Sequence, residues 1–296
     1  MKSCVFIFGF GYTAKFLTEK FLESNFRVIG TTRKEENFGH YDCLEHELVD
    51  FSDDGVAKYF STVTHILVST PPSYKNGDPV IANFSQLIKK FSLQIQWLGY
   101  LSSTSVYGDH QGELVDETAS SISLGKQGQL RLDAENAWIS LANDYQLPLH
   151  IFRLAGIYGP KRNALVRLFE GKQHTIYKEK HYFSRIHVED IASIILSSIQ
   201  YPNPISIYNV ADDEPAPSEV IDAYAASLLN VQAIPLISFE VAKLSPMENE
   251  FYSHNRRVSN TKIKKELLIQ LKYPSYKEGL KELLKNDGYF INKSLK

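Results

Sequence analysis

Short apolar runs alternate with longer amphipathic segments through the first half of the chain. A continuous apolar run of about four to eight residues indicates a strand buried on both faces, whereas apolar positions spaced three and four apart indicate a helix. The pattern predicts helices over 13–24, 78–91 and 130–144. It predicts strands over 3–8, 26–31, 65–68, 96–102 and 149–154.

This alternation predicts an α/β protein. Strands separated by helix-length segments form a parallel sheet, because each connection must cross back to the starting end of the sheet. We therefore expect a doubly wound parallel Rossmann-type sheet with a smaller C-terminal substrate lobe. The expected dinucleotide-binding domain spans 1–155, with 187–212 returning to it, and the lobe takes most of 156–296.

The composition argues against a nucleic-acid-binding protein, a membrane protein and a disulfide-rich protein. The 296 residues include 32 basic and 34 acidic side chains, so no overall field favours nucleic acid or an anionic membrane. Two cysteines, Cys4 and Cys43, are too few for a disulfide framework and fit a reducing cytoplasm. The N-terminal apolar run is broken by Gly9 and Gly11, unlike a membrane span of about 20 apolar residues. We expect a cytoplasmic protein without nucleic-acid or membrane partners and without a metal.

A glycine-rich turn follows the first predicted strand and opens the first predicted helix. It reads GFGYTA over 9–14, the G-x-G-x-x-A spacing, with Tyr12 and Thr13 at the start of the helix. Gly9 permits a tight turn, Gly11 lets the backbone approach a pyrophosphate at the helix N-terminus, and Ala14 lets the helix pack closely on the strand. Glycine turns are common, but this one lies in a strand–helix–strand unit of the expected length, which predicts a dinucleotide site.

The end of the second predicted strand indicates which dinucleotide binds. An acidic residue there would hold the ribose 2′-hydroxyl, whereas a basic residue accommodates a 2′-phosphate. The chain has Thr32 and Arg33 at this point and no carboxylate before Glu35. The sequence therefore favours NADP over NAD, the alternative being a solvated basic pair after a strand.

Four segments match one family in the right order: LSSTSVYG at 101–108, FRLAGIYGP at 152–160, SRIHVEDIA at 184–192 and YNVADD at 208–213. On these residues the chain resembles the extended short-chain dehydrogenase/reductases, which include NAD(P)-dependent sugar epimerases and dehydratases. The resemblance covers nearly the whole length and implies a cleft between a cofactor domain and a substrate lobe. Paired helices at 78–92 and 125–143 imply a homodimer by analogy.

The resemblance also implies ligand contacts. Further cofactor contacts fall on Asp50, Ser69, Thr70, Pro71, Ser102 and Gly156. Substrate contacts fall on Thr104, Tyr107, Tyr158, Arg185 and His187. Other interpretations stay open: a helix cap for Asp50, a plain proline turn at 69–71, a packed histidine at 187 and an ion pair for Arg185.

The family's catalytic residues are a Ser or Thr and a Tyr and Lys in Y-x-x-x-K spacing, the lysine lowering the tyrosine pKa for proton transfer. Ser103 matches the serine, with Ser105 close by. However, Gln127 stands at the tyrosine position and Arg131 at the lysine position. Glutamine does not titrate near neutral pH, so the proton relay is missing as written, and the pattern resembles the family's atypical branch.

Two functions follow. The first is an NADP-dependent epimerase-, dehydratase- or reductase-like enzyme that acts on a nucleotide sugar or small carbonyl or hydroxyl substrate, with a substitute proton donor such as Tyr12, Tyr107 or Tyr158. The second is a catalytically inactive NADP-binding sensor or scaffold. Retained Ser103 favours the first, whereas Gln127 and Arg131 favour the second.

Overall fold

The computed structural model describes residues 2–32, 46–122 and 124–286. The strands are β1 (Cys4–Phe8), β2 (Arg27–Thr32), β3 (His46–Asp50), β4 (His65–Val68), β5 (Trp97–Ser103), β6 (Leu114–Val115), β7 (Leu149–Leu154), β8 (Gly156–Tyr158), β9 (Thr175–Tyr177), β10 (Arg185–His187), β11 (Ser206–Val210), β12 (Leu236–Ser238) and β13 (Arg257–Val258). The helices are α1 (Tyr12–Glu23), α2 (Asp53–Phe60), α3 (Pro79–Lys90), α4 (Lys126–Tyr145), α5 (Ala164–Phe169), α6 (Val188–Gln200), α7 (Ser218–Leu228), α8 (Pro246–Ser253), α9 (Thr261–Glu266) and α10 (Tyr276–Asn286).

Seven strands form one parallel sheet in the order β11-β7-β5-β4-β1-β2-β3. The order of connections reverses between β1 and β4, which is where ligands bind in doubly wound sheets. The strands β1, β4 and β7 are buried throughout, as their continuous apolar runs predict. The predicted α/β, doubly wound Rossmann-type fold is confirmed.

Two apolar layers cover the sheet. One face packs against α1 and α6 around Leu17, Phe152 and Ile195. The other face packs against α2, α3 and α4 around Phe84 and Trp138. Both faces of the sheet are covered, and the predicted site residues follow the carboxyl ends of its strands.

Strand β3 and the start of helix α4 differ from the sequence prediction for identifiable reasons. Strand β3 was not predicted, because it is a half-exposed edge strand whose residues HELVD lack a continuous apolar run. Helix α4 begins at Lys126 rather than at 130, with Gly125 as its N-cap. Its first turn has no apolar side chain, so periodicity does not identify it, and the capping carboxylate comes from Glu250.

The C-terminal elements form a smaller layered body with its own apolar cluster, which includes Leu165, Ile221, Tyr276 and Leu280. Three parallel strand pairs, β8–β10, β9–β12 and β6–β13, support it. Pair β6–β13 ties the sheet half directly to the C-terminal part. The domain limits and the homodimer stay predictions. Within the described ranges, no helix combines the length and apolar character needed to span a membrane.

Candidate functional site

The glycine turn between β1 and α1 leaves an uncapped helix N-terminus facing open space. Gly9 adopts a φ of +92°, and a Cβ there would lie 2.7 Å from Cγ2 of Thr70. Gly11 is the N-cap of α1, without a side-chain capping bond and without acidic residues in the first turn. A Cβ on Gly11 would meet no atom within 4 Å. The turn therefore offers backbone N–H groups and room for an anion such as a pyrophosphate.

The neighbouring predicted cofactor residues surround this turn. Ala14 is fully buried against the sheet, and Thr13 is nearly so. Thr70 follows β4 beside Gly9, and within the described ranges its buried Oγ1 lacks a hydrogen-bond partner, as expected of a group that a ligand hydroxyl would complete. Ser69 donates its backbone N–H to Phe8, and Pro71 is exposed at the same edge.

The residues predicted to contact the adenosine part of the cofactor lie at the carboxyl ends of β2 and β3. Thr32 and Asp50 pair in the parallel register of these strands, and Asp50 is exposed. Arg33, the predicted 2′-phosphate contact, lies outside the described residues. Tyr12 is directed elsewhere: its hydroxyl donates to the carbonyl of Pro160 at 3.0 Å, and Arg162 lies 5.6 Å from its ring centroid. The Tyr12 side chain thus ties the turn to the C-terminal part.

A cavity of about 180 Å³ opens at the ends of β5 and β7; we call it the strand-end cavity. It brings together four residues that the sequence predicted, Thr104, Ser105, Gln127 and Gly156, and its wall includes His254 and Arg256. The predicted Ser103 precedes them, and its Oγ accepts the Ser105 backbone N–H at 3.1 Å as the cap of a short turn at 104–107.

Two of the predicted residues instead belong to a buried network behind this cavity. Arg153 pairs with Glu135 at 2.7 Å, and Ser102 donates its hydroxyl to the same carboxylate at 2.5 Å. Tyr107 lies under the Arg153 guanidinium and donates to Asn209 at 2.6 Å. Burial raises the pKa of Tyr107. Tyr107 is therefore not expected to contact substrate or to supply a proton. The Ser102 hydroxyl, predicted as a cofactor contact, instead links β5 to Glu135 of α4.

Tyr74 is a residue that the sequence reasoning missed. Gln127, at the family's tyrosine position, donates from Nε2 to the Tyr74 hydroxyl at 3.1 Å. Tyr74 lies in the loop after β4, closed by reciprocal backbone bonds between Ser73 and Gly77. Its ring is 64% exposed. The structure thus places a phenol in contact with Gln127, which lines the cavity; the sequence carries no signal for this contact across 53 positions.

Arg131, at the family's lysine position, is fixed on strand β5. Its Nη1 donates to the carbonyl of Leu101 at 2.8 Å and lies 3.4 Å from the Tyr100 hydroxyl. Burial raises the pKa of Tyr100. Tyr100 is therefore an internal neutral phenol, while Arg131 keeps a positive charge near the carboxyl end of the strand.

A second cavity of about 400 Å³, the lobe cavity, adjoins the first at Gly156 and Ser184. Four basic residues line it: Arg162, Arg167, Lys172 and Arg185. Arg185 donates from Nη1 to the carbonyls of Phe183 and Ala216, at 2.8 and 2.9 Å. Burial lowers the pKa of Arg185 to about 10, and the nearby Asp212 opposes this shift.

Tyr158 and His187 pack behind these cavities. The Tyr158 hydroxyl donates to the Ser275 carbonyl at 3.3 Å, and burial raises its pKa. His187 caps α6 by accepting the Glu189 N–H at 3.3 Å, and its ring packs edge-on against Tyr158 and at a tilt against Tyr273. Burial lowers the pKa of His187 to about 4. Tyr158 touches the lobe cavity, but neither residue presents a titrating group for proton transfer near neutral pH.

Known proteins with a similar sequence or a similar structure identify relatives of this chain. No protein-family model matches it. Protein YeeZ of Escherichia coli strain K12 is 31% identical over 197 residues, which cover 64% of this chain and 67% of that protein. A functionally unknown conserved protein from Silicibacter pomeroyi is 42% identical, with a TM-score of 0.90 over 96% of this chain and 99% of that one.

A more distant structure extends the comparison. The dTDP-glucose 4,6-dehydratase of Bacillus anthracis, solved in complex with NAD, is 18% identical and has a TM-score of 0.76. The alignment covers 99% of this chain and all of that one. At this identity the likeness is one of fold, and it confirms the expected architecture of the extended short-chain dehydrogenase/reductases.

Proposed function

Since the chain belongs to the family of Protein YeeZ and has the fold of the extended short-chain dehydrogenase/reductases, we propose that it is an NADP-dependent enzyme of the epimerase or dehydratase type. One observation carries the proposal: the strand-end cavity is lined by Gln127, at the family's tyrosine position, and by Thr104 and Ser105, which directly follow the serine position Ser103. The substrate would be a nucleotide sugar or another small hydroxyl or carbonyl compound.

The protein would hold the cofactor along the edge from β2 to β7. The N-terminus of α1 would bind the pyrophosphate, and the orphaned Thr70 hydroxyl would meet a ribose. The bound nicotinamide would supply hydride acceptance and return. Thr32 and Arg33, with no carboxylate before Glu35, support NADP rather than NAD.

Proton transfer would use groups already next to the cavity. Ser103 and Ser105 would position the substrate oxygen, and the Tyr74 hydroxyl held by Gln127 would exchange its proton. Arg131 would provide the fixed positive charge that the family obtains from lysine. The basic lining of the lobe cavity, which adjoins at Gly156, suits the phosphates of a nucleotide sugar.

The test combines cofactor titration with product analysis. NADPH and NADH are titrated by fluorescence, and conversion of UDP-glucose, UDP-glucuronic acid and dTDP-glucose is followed by nuclear magnetic resonance. We expect tighter binding of NADPH, and Arg33→Ala should lose that preference by about 10-fold or more because a charged hydrogen bond is removed. Equal binding of both nucleotides would contradict the NADP assignment.

Tyr74→Phe tests the proton donor. With a substrate found, kcat should fall by about 10²–10⁴-fold while NADPH affinity is unchanged, because only the hydroxyl is lost. Tyr201→Phe, which alters an exposed tyrosine at the end of α6, is the control and should retain full activity. An unchanged kcat in Tyr74→Phe would remove Tyr74 from the mechanism.

A second candidate is an NADP sensor or scaffold without turnover. Gln127 and Arg131 favour it, because they replace the tyrosine and lysine of the family's proton relay. Tight NADPH binding with no product from the substrate panel would support this candidate over the enzyme.

A further inference from the structure

Arg256 is a largely buried cation that lacks a charged partner in the described part of the chain. Its Nη1 donates to the carbonyl of Gly108 at 2.9 Å, and its buried Nε has no hydrogen-bond partner there. The carboxylate of Asp109 raises the pKa of Arg256, but its Oδ1 accepts the backbone N–H groups of Gln111 and Asn255. Burial lowers the pKa of Arg256 to about 10.

Among the described residues, the other two buried arginines differ in how their charge is compensated, and only Arg153 has a direct counter-ion. Arg153 forms an ion pair with Glu135, and Arg185 donates to two carbonyls with Asp212 nearby. A buried charge without a counter-ion destabilises a protein, so one that persists in a cavity points to a missing anion. Arg256 lines the strand-end cavity next to Thr104 and Ser105.

The segment that carries Arg256 is held rigidly. The Asn255 carbonyl accepts the N–H groups of His110 and Gly112, each at 3.0 Å. On the other side, Val258 donates its N–H to the Ser184 hydroxyl at 3.0 Å. The guanidinium is therefore positioned before any ligand arrives, as an anion site requires. Glu250 also lines the cavity, but its Oε1 accepts the Gln127 N–H.

We propose that Arg256 binds an anionic group of the substrate, a carboxylate or phosphate, beside Ser105 and Gln127. The inference rests on the proposed function, and it deepens that function by requiring an acidic substituent near the reacting carbon. The basic residues of the lobe cavity, Arg162, Arg167, Lys172 and Arg185, do not line the strand-end cavity.

The test is thermal unfolding of the full chain in chloride buffer with D-glucuronate, D-glucose or inorganic phosphate. Glucuronate and glucose differ only in the carboxylate, and phosphate separates the two anion sources. We expect glucuronate, phosphate or both to raise the Tm of wild type, and glucose to leave it unchanged. The anion that raises the Tm identifies the substrate's acidic group as a carboxylate or a phosphate.

Arg256→Met should abolish that shift while leaving the ligand-free Tm unchanged or higher, because an uncompensated buried charge is removed. Arg257→Met, on the exposed neighbour in β13, is the matched control and should keep the shift. The proposal fails if neither anion shifts wild type, if glucose acts equally, if Arg256→Met keeps the shift, or if it lowers the ligand-free Tm. The glucuronate outcomes involve neither cofactor binding nor turnover, so they leave the proposed function separately testable, and a phosphate shift counts for the proposal only where Arg256→Met removes it.

Discussion

Gly9 and Gly11 stand two positions apart in one turn, but different constraints act on them. Gly9 combines a positive φ with a close approach to Thr70, so a side chain there conflicts with the protein itself. Gly11 has an extended N-cap conformation and open space beyond it, so a side chain there conflicts only with a ligand. The sequence identified both glycines by spacing, and the structure separates their roles.

Gly9→Ala should lower the free energy of unfolding by about 2–3 kcal/mol, because strain at positive φ adds to the overlap with Thr70. Gly77→Ala is the control: Gly77 has a φ of +63° with no atom within 4 Å of a Cβ, so only the backbone strain of about 1 kcal/mol applies. Urea unfolding measures both. Equal losses in the two variants would show that Thr70 does not restrict Gly9.

At the scale of elements, the buried network of Glu135, Arg153 and Ser102 joins α4 to β7 and β5. The charges are almost fully buried, and each oxygen of Glu135 accepts hydrogen bonds. Such a buried ion pair holds the helix on the sheet, because removing either partner alone leaves the other charge buried without a counter-ion.

Glu135→Gln should therefore reduce stability by about 3–5 kcal/mol by leaving the Arg153 charge buried and unpaired. Adding Arg153→Met to that variant should recover part of the loss. Glu23→Gln, which breaks the exposed Lys20–Glu23 pair, should change stability by less than about 1 kcal/mol. Denaturant unfolding compares them; a loss for Glu135→Gln as small as that for Glu23→Gln would contradict the account.

The elements also show where sequence reasoning succeeds and where it fails. The strands β1, β4 and β7 were predicted because their residues are apolar without interruption, which reflects burial on both faces. The start of α4 and the position of Tyr74 were missed because each depends on a distant partner, Glu250 and Gln127 respectively. Local sequence patterns indicate which residues are buried, whereas these contacts join residues that are distant in sequence and meet only in the folded chain.

At the scale of the whole molecule, buried neutral histidines occur in both halves. Burial lowers the pKa of His65, His150, His181 and His187 to about 4 each. His150 accepts the Asn203 N–H at 3.2 Å and packs on Trp97 and Tyr208. Protonating any of these rings in the folded state is unfavourable.

The unfolded chain consequently binds more protons than the folded one between pH 6.5 and 4, and stability should fall as the pH is lowered through this window. Each histidine should contribute a loss of about 1 kcal/mol between pH 7 and 5.5. His150→Asn should reduce that pH-dependent loss by one histidine's share, although it is less stable at every pH. His174→Asn alters an exposed ring and should retain the wild-type slope. An unchanged slope in His150→Asn would contradict this assignment.

The most direct measurement is a calorimetric titration of NADPH into wild type and Gly11→Ala, with the Tm of both proteins. The account predicts that wild type binds, that Gly11→Ala has the same Tm because its methyl group meets no protein atom, and that its affinity falls by more than about 10-fold because the methyl group blocks the pyrophosphate. If wild type binds neither NADPH nor NADH, or if Gly11→Ala binds as well as wild type, the turn between β1 and α1 is not a dinucleotide site.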